Sequence, residues 1–417
     1  MAIKVNGQTV IDDSRVLRLN SGTTRPSSPA VGTLWFNSST GVIECWTGST
    51  WIEPPSGVAT TPNAWAWGFN GSGELGDNTA TSRTSPVSVV GGFTDWVTVS
   101  AGESHTVAVR ANGTAWAWGA GGQGRLGNFA IFNISSPVSV VGGFTDWVQV
   151  SAGGSHTAAV RANGTAWAWG NNGNGRLGEG TTTSRRSPVS VVGEFTDWVT
   201  VSAGFAHTAA VRANGTVWAW GSNWIGQLGD GTTTSRSSPV SVVGEFTDWV
   251  TVSAGSNHNA AVRANGTVWA WGSNGRSQLG DGTATGRSSP VSVVGGFTDW
   301  VTVSAGNDHT AAVRANGTVW AWGNNNSGLL GDGTTTRRSS PVSVVGGFTD
   351  WVTVSAGRHT AAVRANGTAW AWGRNFAGQL GDGTETDKNS PVSVVGGFTD
   401  WVTVSAGGSH NAAISQS

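Results

Sequence analysis

Short runs in which apolar and polar residues alternate recur along most of the chain. In one unit, HTAAVR at 156–161 is followed by Asn163-Gly164 and then by TAWAWG. A period of two predicts strands, and Asn-Gly between two such runs predicts a tight hairpin, because both central residues of that turn need positive φ. The runs PVSVV and DWVTVSA supply two more strands. Each unit is therefore predicted to form four short antiparallel strands.

The unit repeats seven times at a nearly fixed interval. The tetrapeptide Trp-Ala-Trp-Gly begins at Trp65, Trp116, Trp167, Trp218, Trp269, Trp320 and Trp370, and Phe-Thr-Asp-Trp keeps step with it. A repeat of about 50 residues built from four strands is typical of a β-propeller blade. The sequence therefore predicts an all-β fold, a seven-bladed β-propeller over residues 58–417.

The two ends of the repeat array predict how the ring closes. Seven blades would need seven Asn-Gly hairpins, but the chain has six, from Asn112-Gly113 to Asn366-Gly367. The last strand, 410–414, lacks a following Trp-Ala-Trp strand, and the first Trp-Ala-Trp strand, 63–67, lacks a preceding His-Thr-Ala-Ala strand. Pairing these two strands would complete the seventh blade by N-/C-terminal strand exchange and remove open sheet edges.

Residues that every copy shares are predicted to be structural. The two Trp of each Trp-Ala-Trp lie at i and i+2, on one face of a strand, and are expected to fill the space between blades. The chain has one His in each repeat, which we expect to bond backbone groups between adjacent strands or blades. The representative structural positions are Trp65, Trp67, His105, Trp116, Trp118, His156, Trp218 and Trp220.

The repeat resembles that of the regulator-of-chromosome-condensation family. The shared pattern is HTAAVRANGTVWAWG followed by Gly-Gln-Leu-Gly-Asp-Gly, clearest at 226–231 and 378–383, and it covers about six-sevenths of the chain. This resemblance implies a seven-bladed propeller. It also implies a protein-interaction function, such as nucleotide exchange on a small GTPase or chromatin binding. A WD-repeat propeller does not fit, because the period is too long and the Gly-His…Trp-Asp pairing is missing.

Residues 1–57 have a different pattern. KVNGQTVIDDSRVLRL predicts a strand, a tight turn and a second strand, and GTLWFNSSTGVIECWTGSTWIEP predicts a hairpin that contains Cys45. This small N-terminal β module resembles modules at the start of bacteriophage tail-fibre proteins. The resemblance implies attachment to a virion, and a chance β-hairpin is the alternative.

The four connections of a blade alternate between the two faces of the disc, because successive strands are antiparallel. The Asn-Gly turn and the Gly-Gly-Phe-Thr-Asp turn share one face, which hardly varies between copies and is called the constant face. The long loop after Trp-Ala-Trp-Gly and the Ser-Ala-Gly turn share the other, which differs in every copy and is called the variable face. Asp95 and its equivalents are expected to cap turns of the constant face.

Large aromatic residues outside the repeat pattern concentrate in the variable face. Aromatic side chains among Asn, Ser, Gly and Arg are typical of recognition surfaces. Packing into gaps under long loops, or simple solvation of the arginines, is the alternative. The predicted binding residues are Phe69, Phe129, Phe132, Arg185, Arg186, Phe205, Trp224, Arg337, Arg338 and Phe376.

Composition excludes several classes of function. The formal net charge is -1 with 11% charged residues, so nucleic acid is not an expected partner. There is no signal peptide and no apolar run long enough to span a membrane. The single Cys and the dispersed His and Asp predict no metal and no cofactor, because metal ligands must converge on one ion.

These observations lead to one preferred function and three alternatives. We expect a non-enzymatic bacteriophage tail or tail-fibre protein, made in the host cytoplasm and located in the virion. Residues 1–57 would bind other tail proteins, and the variable face would bind a host surface glycan or protein. A homo-oligomer such as a trimer is left open. The alternatives are a structural tail or baseplate component without receptor binding, a protein-interaction propeller of the GTPase-exchange or chromatin-binding type, and a polysaccharide-cleaving enzyme using Glu74, Glu179, Asp308 or Glu385.

Overall fold

The computed structural model describes residues 62–416 together with the short strands of the N-terminal region. The chain divides into two compact units, Met1–Thr61 and Pro62–Ser417. In the first unit, two short strands pair antiparallel, Lys4–Val5 and Gln8–Thr9. A second sheet holds four strands in sequence order, Ser21–Gly22, Leu34–Asn37, Val42–Trp46 and Trp51–Ile52. The hairpin expected between residues 34 and 46 is present, and the side chain of Cys45 lies outside the described residues.

The second unit contains seven four-stranded antiparallel sheets, which confirms the predicted all-β propeller. Blades are numbered here in the chain order of their inner strands. The inner strands are Trp96–Ala101, Trp147–Ala152, Trp198–Ala203, Trp249–Ala254, Trp300–Ala305, Trp351–Ala356 and Trp401–Ala406. The second strands are His105–Arg110, His156–Arg161, His207–Arg212, His258–Arg263, His309–Arg314, His359–Arg364 and His410–Ser415.

The third and outer strands of blades 1 to 6 follow directly along the chain. The third strands are Ala115–Gly119, Ala166–Gly170, Val217–Gly221, Val268–Gly272, Val319–Gly323 and Ala369–Gly373. The outer strands are Ile134–Ser139, Arg185–Ser190, Arg236–Ser241, Arg287–Ser292, Arg338–Ser343 and Lys388–Ser393. The one short 3-10 helix of the described residues, Gly122–Gly124, lies in the loop between the third and outer strands of blade 1.

Blade 7 takes its strands from both ends of the repeat array. Its inner and second strands come from the C-terminus, whereas its third and outer strands are Asn63–Gly68 and Arg83–Ser88. His410 pairs with Gly68 and Ser415 with Asn63, so the two termini form a full antiparallel ladder. The predicted closure by strand exchange is confirmed.

The core lies between blades rather than within them. In one cluster, Val107 and Leu126 of blade 1 pack against Trp147 and Trp169 of blade 2. The equivalent second Trp of each Trp-Ala-Trp, including Trp67, Trp118 and Trp220, is fully buried, whereas the first Trp is half-buried against the same clusters. Burying an aromatic side chain against each neighbour stabilises the ring blade by blade.

Two rings of hydrogen bonds also join neighbouring blades. In every inner strand a serine hydroxyl accepts from a backbone N–H of the next blade, as Ser100 does from Ala152 at 3.0 Å. In every second strand the His Nε2 bonds the Thr or Asn side chain of the next blade, as His105 does Thr157 at 3.0 Å. The structure thus places each His between blades, where its Nε2 bonds a side chain rather than the expected backbone group.

The inner strands surround a central channel. The Ser-Ala-Gly turns line a cavity of about 150 Å³ at one end of it. These turns contact the long loops of neighbouring blades: Arg125 Nη1 donates to Gly154 O at 3.1 Å. At the other face, Trp147 N donates to Gly113 O at 3.0 Å, so an Asn-Gly turn adjoins the turn before the next blade. The loops therefore segregate to the two faces as expected.

Candidate functional site

The constant face uses its side chains within the fold. In blade 1, Arg110 Nε donates to Asp95 Oδ1 at 2.7 Å, and its guanidinium carbon lies 4.1 Å from the centre of the Phe93 ring. The same pairing recurs in blades 2 to 6. Asp95 thus holds an arginine rather than capping its own turn. The constant face therefore presents a nearly uniform surface of internally paired groups.

Six of the seven long variable-face loops share one polar network. In blade 7, Asn70 Nδ2 donates to Asp77 Oδ1 at 3.0 Å, while Leu75 N donates to Asn70 Oδ1 at 3.0 Å. Asp77 also accepts from the backbone and hydroxyl of Thr79 and ion-pairs with Arg83 at 3.0 Å. These donors hold the pKa of Asp77 below its usual value, although burial opposes them as the largest single influence. The network fixes the loop without any ligand.

The loop of blade 1 has lost this network. Gly121 stands in place of the Asn, Asn128 in place of the Asp, and Ile134 in place of the Arg. At Gly121 a Cβ would lie 1.8 Å from the carbonyl oxygen of Phe132, so only glycine fits there. The 3-10 turn at Gly122–Gly124 replaces the regular loop conformation. Blade 1 thus has a loop unlike the other six.

The structure exposes every predicted aromatic residue on the variable face. Phe129, Phe132 and Trp224 are the most exposed, at 63%, 67% and 73%. The others lie at the channel mouth (Phe205), on the loop of blade 7 (Phe69) and on the loop of blade 6, where Arg374 stacks 5.1 Å from the centre of the Phe376 ring. They are spread over several blades, and among them only Phe129 and Phe132 share one loop.

The predicted arginines divide into two kinds. Arg185 ion-pairs with Glu179 at 2.7 Å, and Arg338 with Asp332 at 2.8 Å, so both belong to the loop networks. Arg186 and Arg337 are exposed. Arg337 donates to the Gly275 carbonyl of the preceding blade at 3.1 Å. Among the described residues, only the second kind has no carboxylate partner.

Sequence reasoning missed Arg125 and Arg176, which occupy equivalent positions in the loops of blades 1 and 2. Arg125 donates to Gly122 O and Gly154 O, and Arg176 to Phe205 O and Asn174 Oδ1. Within the described part of the chain, neither has a carboxylate in ion-pair contact. Burial lowers the pKa of both, that of Arg176 to about 10. The sequence did contain a signal, because this loop position differs between blades. It holds Glu in blade 7, Arg in blades 1 and 2, Leu in blade 5, and Gln in blades 3, 4 and 6.

The channel mouth carries one further pair. Arg358 ion-pairs with Glu103, reaching from blade 6 to blade 1 across Gly408 of blade 7. The Ser-Ala-Gly turn of blade 6 is one residue shorter than the others, and this deletion places Arg358 there. A Cβ at Gly408 would lie 2.5 Å from Glu103 O, so glycine is required beneath the pair.

The seven histidines are buried, which favours their neutral form. Burial is the main cause that lowers the pKa of each, to about 3 for His258, His309 and His410 and to about 4 for His207 and His359. Over the described residues, no three His, Cys, Asp or Glu side chains converge on a metal position. The same residues include no helix long and apolar enough to cross a membrane.

Comparison with known proteins gives the family. The model of the RCC1-like domain matches residues 56–300 and 133–417. The ultraviolet-B receptor UVR8 of Arabidopsis thaliana is 34% identical over 67% of this chain and 65% of its own length. The human E3 ubiquitin-protein ligase HERC2 is 29% identical over 68% of this chain but only 6% of its own length.

Solved structures share the fold at low identity. Human WBSCR16 superposes with a TM-score of 0.77 at 23% identity, covering 85% of this chain and 99% of the other. Yeast RCC1 (Prp20), solved bound to Kap60, superposes with a TM-score of 0.76 at 19% identity, covering 87% and 91%.

The prediction of a bacteriophage tail protein is wrong, because these relatives are RCC1-like propeller proteins of eukaryotes. The predicted virion location is wrong with it; another relative, RUG3 of Arabidopsis thaliana, is mitochondrial. The predicted partners, virion tail proteins and a host surface glycan or protein, are corrected in the same way. The resemblance of residues 1–57 to tail-fibre modules rests on one short hairpin and stays a prediction.

The family evidence extends through the whole repeat array, whereas the motif that resembles tail-fibre modules lies on its N-terminal side. The matched residues include the inter-blade Trp and His and the strands that close the ring. The chain belongs to the RCC1-like domain family.

Proposed function

We propose that this chain is a non-enzymatic protein-interaction propeller that binds a partner protein through its variable face. The observation that carries the proposal is the asymmetry between the faces. The constant face repeats the same internally paired residues, whereas the variable face carries a different loop on each blade and the exposed aromatic residues. Large rigid aromatic side chains surrounded by adaptable polar groups provide contact area at low entropic cost.

The chemistry of the described residues supports a binding role over a catalytic one. Of the carboxylates considered for glycan cleavage, Glu74 is 1% exposed and Glu179 is engaged by Arg185. Asp308 and Glu385 lie on different blades. The histidines are buried and have depressed pKa values, so they are poorly placed as general acids or bases.

The relatives support a protein-interaction function but do not identify the partner. UVR8 is a receptor and HERC2 a ubiquitin ligase by name, and the yeast RCC1 structures concern complexes or binding with Kap60, Gsp1p and histones. The structural matches are below 25% identity and speak only for the fold. The chain spans 65% of UVR8 and a small part of HERC2, so their activities are not carried over.

The test compares the full chain with a loop-replaced variant. In that variant, the long loop of every blade is exchanged for the loop of blade 4, residues 273–287, which keeps the shared Asn-Asp-Thr-Arg network. Affinity capture from extracts of the source cells, quantified by mass spectrometry, should return partners that the wild-type chain binds and the variant does not. Partners retained equally by both would overturn the proposal.

A constant-face variant serves as the matched control. Glu194 and Glu245 replace glycines found in the other five copies, so E194G/E245G makes the constant face uniform without touching the variable face. Capture should be unchanged by this double substitution. Loss of partners in the control, with retention in the loop-replaced variant, would assign binding to the constant face.

A further inference from the structure

We propose that the loop of blade 1, residues 121–134, together with Arg125, Arg176 and Arg186, forms the main docking site for an acidic protein segment that carries large apolar side chains. This inference rests on the proposed function and names the partner's chemistry. We call residues 121–134 the apolar loop.

The first argument is backbone strain at an exposed aromatic residue. Phe129 has φ +68°, in the left-handed region that disfavours a side chain with a Cβ. Five of the other six loops have glycine at this position and the sixth has Asn78. Despite the unfavourable backbone, the Phe129 side chain is largely exposed and packs into no core cluster. Strain that no buried contact explains points to a functional reason.

The second argument is that several changes coincide in one loop. Relative to the other loops, threonines at two positions are replaced by Ala130 and Phe132, and Ile131 is 53% exposed. Phe129, Ile131 and Phe132 thus present three large apolar side chains within four residues. In the other loops the same positions hold Asn, Gly, Ala, Thr or Glu. Clustered exposed apolar groups are typical of interaction sites.

The third argument is the charge beside this loop. Phe129 N donates to the Arg186 carbonyl at 3.0 Å, which fixes Arg186 against the apolar loop. Nearby carboxylates are already engaged: Asp77 with Arg83, Glu179 with Arg185, and Glu103 with Arg358. Glu74 is 1% exposed.

Three arginines remain, Arg125, Arg176 and Arg186, and within the described residues none has an ion-pair partner. Arg176 is 8% exposed, and its Nε has no hydrogen-bond partner there. Glu103 attracts Arg125 from beyond ion-pair distance, but it is itself paired with Arg358. A guanidinium without an ion-pair partner is stabilised by an incoming carboxylate, and Arg binds carboxylates in a bidentate way. Positive charge next to apolar side chains therefore fits a partner segment that combines Asp or Glu with Leu, Ile or Phe.

The experiment selects peptides from a displayed library of random 16-residue sequences on the full chain. Enriched peptides are then synthesised, and their Kd is measured by fluorescence anisotropy. We expect enrichment of net negative sequences with at least two large apolar residues, and affinity that falls with added salt. Failure to enrich any peptide, or enrichment of basic sequences, would overturn the inference.

Three variants locate the site. F129G restores the residue of most other loops; it should weaken binding at least tenfold while raising the unfolding midpoint, because the strain is removed. A merely structural Phe129 would instead give a lower midpoint. R186E should weaken binding similarly. N78G, at the same backbone position in blade 7, is the matched control and should raise the midpoint with binding unchanged.

A fourth variant separates this inference from the proposed function. W224A/F376A removes exposed aromatic residues from the loops of blades 3 and 6. If the peptides depend on Trp224 and Phe376 but not on Phe129, the docking site is wrong and binding by the variable face stands. If neither F129G nor W224A/F376A affects binding, the proposed docking site and the proposed binding by the variable face are both wrong.

Discussion

The imidazole Nε2 of His410 lies 2.9 Å from the Oγ1 of Thr106, a residue 304 positions earlier in the chain. Thr106 Oγ1 in turn donates to the carbonyl of Glu74 at 2.9 Å, so it must accept from His410, which is therefore protonated at Nε2. Six equivalent His bonds join consecutive blades along the chain, and this seventh bond joins blade 7 to blade 1. Together with the strand exchange, it locks the ring where the chain ends meet.

Removing this acceptor should weaken the closed ring. T106V keeps the shape of the side chain but leaves a buried imidazole N–H without a partner, at a cost of about 1–3 kcal/mol. The free energy of unfolding in urea would measure it. T157V, which removes the same acceptor between blades 1 and 2, is the matched control and should cost a similar amount. Hydrogen exchange should rise in blade 7 only for T106V, and no loss of stability in T106V would contradict this role.

The buried histidines predict a loss of stability in mild acid. Burial holds the folded pKa of each histidine below the unfolded value near 6.5, at about 3 for His258 and about 4 for His359, so the unfolded chain binds more protons in this window. Their stabilising effect is complete above pH 6.5 and declines as the pH falls toward the folded values. Each histidine contributes a slope of about 1.4 kcal/mol per pH unit.

Urea unfolding at pH 7 and pH 5 measures this slope. The aspartates of the loop networks, such as Asp281, have depressed pKa values and lose their stabilising contribution only below about pH 4, so they do not contribute to the change in stability between pH 7 and pH 5. The imidazole Cε1–H signals of the native protein should stay constant between pH 7.5 and 5. Equal stability at the two pH values would show that the histidines are not neutral in the fold.

The loop network can be tested in blade 4. D281N removes the ion pair with Arg287 at 3.2 Å and weakens the bonds from Thr283 and Asn274, so we expect a loss of about 1–2 kcal/mol. The reciprocal change in the apolar loop, N128D, introduces a carboxylate where Ile134 replaces the arginine. It should give no gain in stability. Urea denaturation of both variants measures the difference, and a stabilising N128D would contradict the proposed division between the loops.

Replacing two constant-face residues with glycine should increase the stability of the fold. Glu194 and Glu245 both have φ +56°, where the equivalent glycines of the other blades, such as Gly143, have φ near +68°. E194G and E245G remove the left-handed strain but add freedom to the unfolded chain, leaving a net gain of about 0.5–1 kcal/mol each. Thermal unfolding of the single and double variants would measure it. A loss at either site would indicate a contact by the Glu side chain.

The sequence predicted the fold almost completely because the repeat encodes it seven times. The Asn-Gly count predicted the missing hairpin, and hence the ladder between 63–68 and 410–415. The aromatic residues of the variable face were found as departures from the repeat, as with Trp224. A departure from a strict repeat is visible in one sequence, and exposure then follows from the loop's place in the topology.

Relations between blades could not be predicted in the same way. The pair of Arg358 with Glu103 spans three blades, and only the ring geometry shows that a deletion in blade 6 creates it. Arg185 was predicted to be a binding residue, although Glu179 lies six residues before it and engages it. The sequence did contain a signal for this pair. An acidic residue and an arginine six positions later occur together in most loops, and both are replaced in the apolar loop, by Asn128 and Ile134. The prediction of a bacteriophage protein was wrong because a short N-terminal motif carries less information about function than a repeat that covers most of the chain.

Hydrogen exchange of the full chain, with and without a partner identified by the capture experiment, tests the central claim most directly. The account predicts that protection on binding is confined to the loops between third and outer strands and to the Ser-Ala-Gly turns. Protection confined to the Asn-Gly turns, the Gly-Gly-Phe-Thr-Asp turns or residues 1–61 would contradict it.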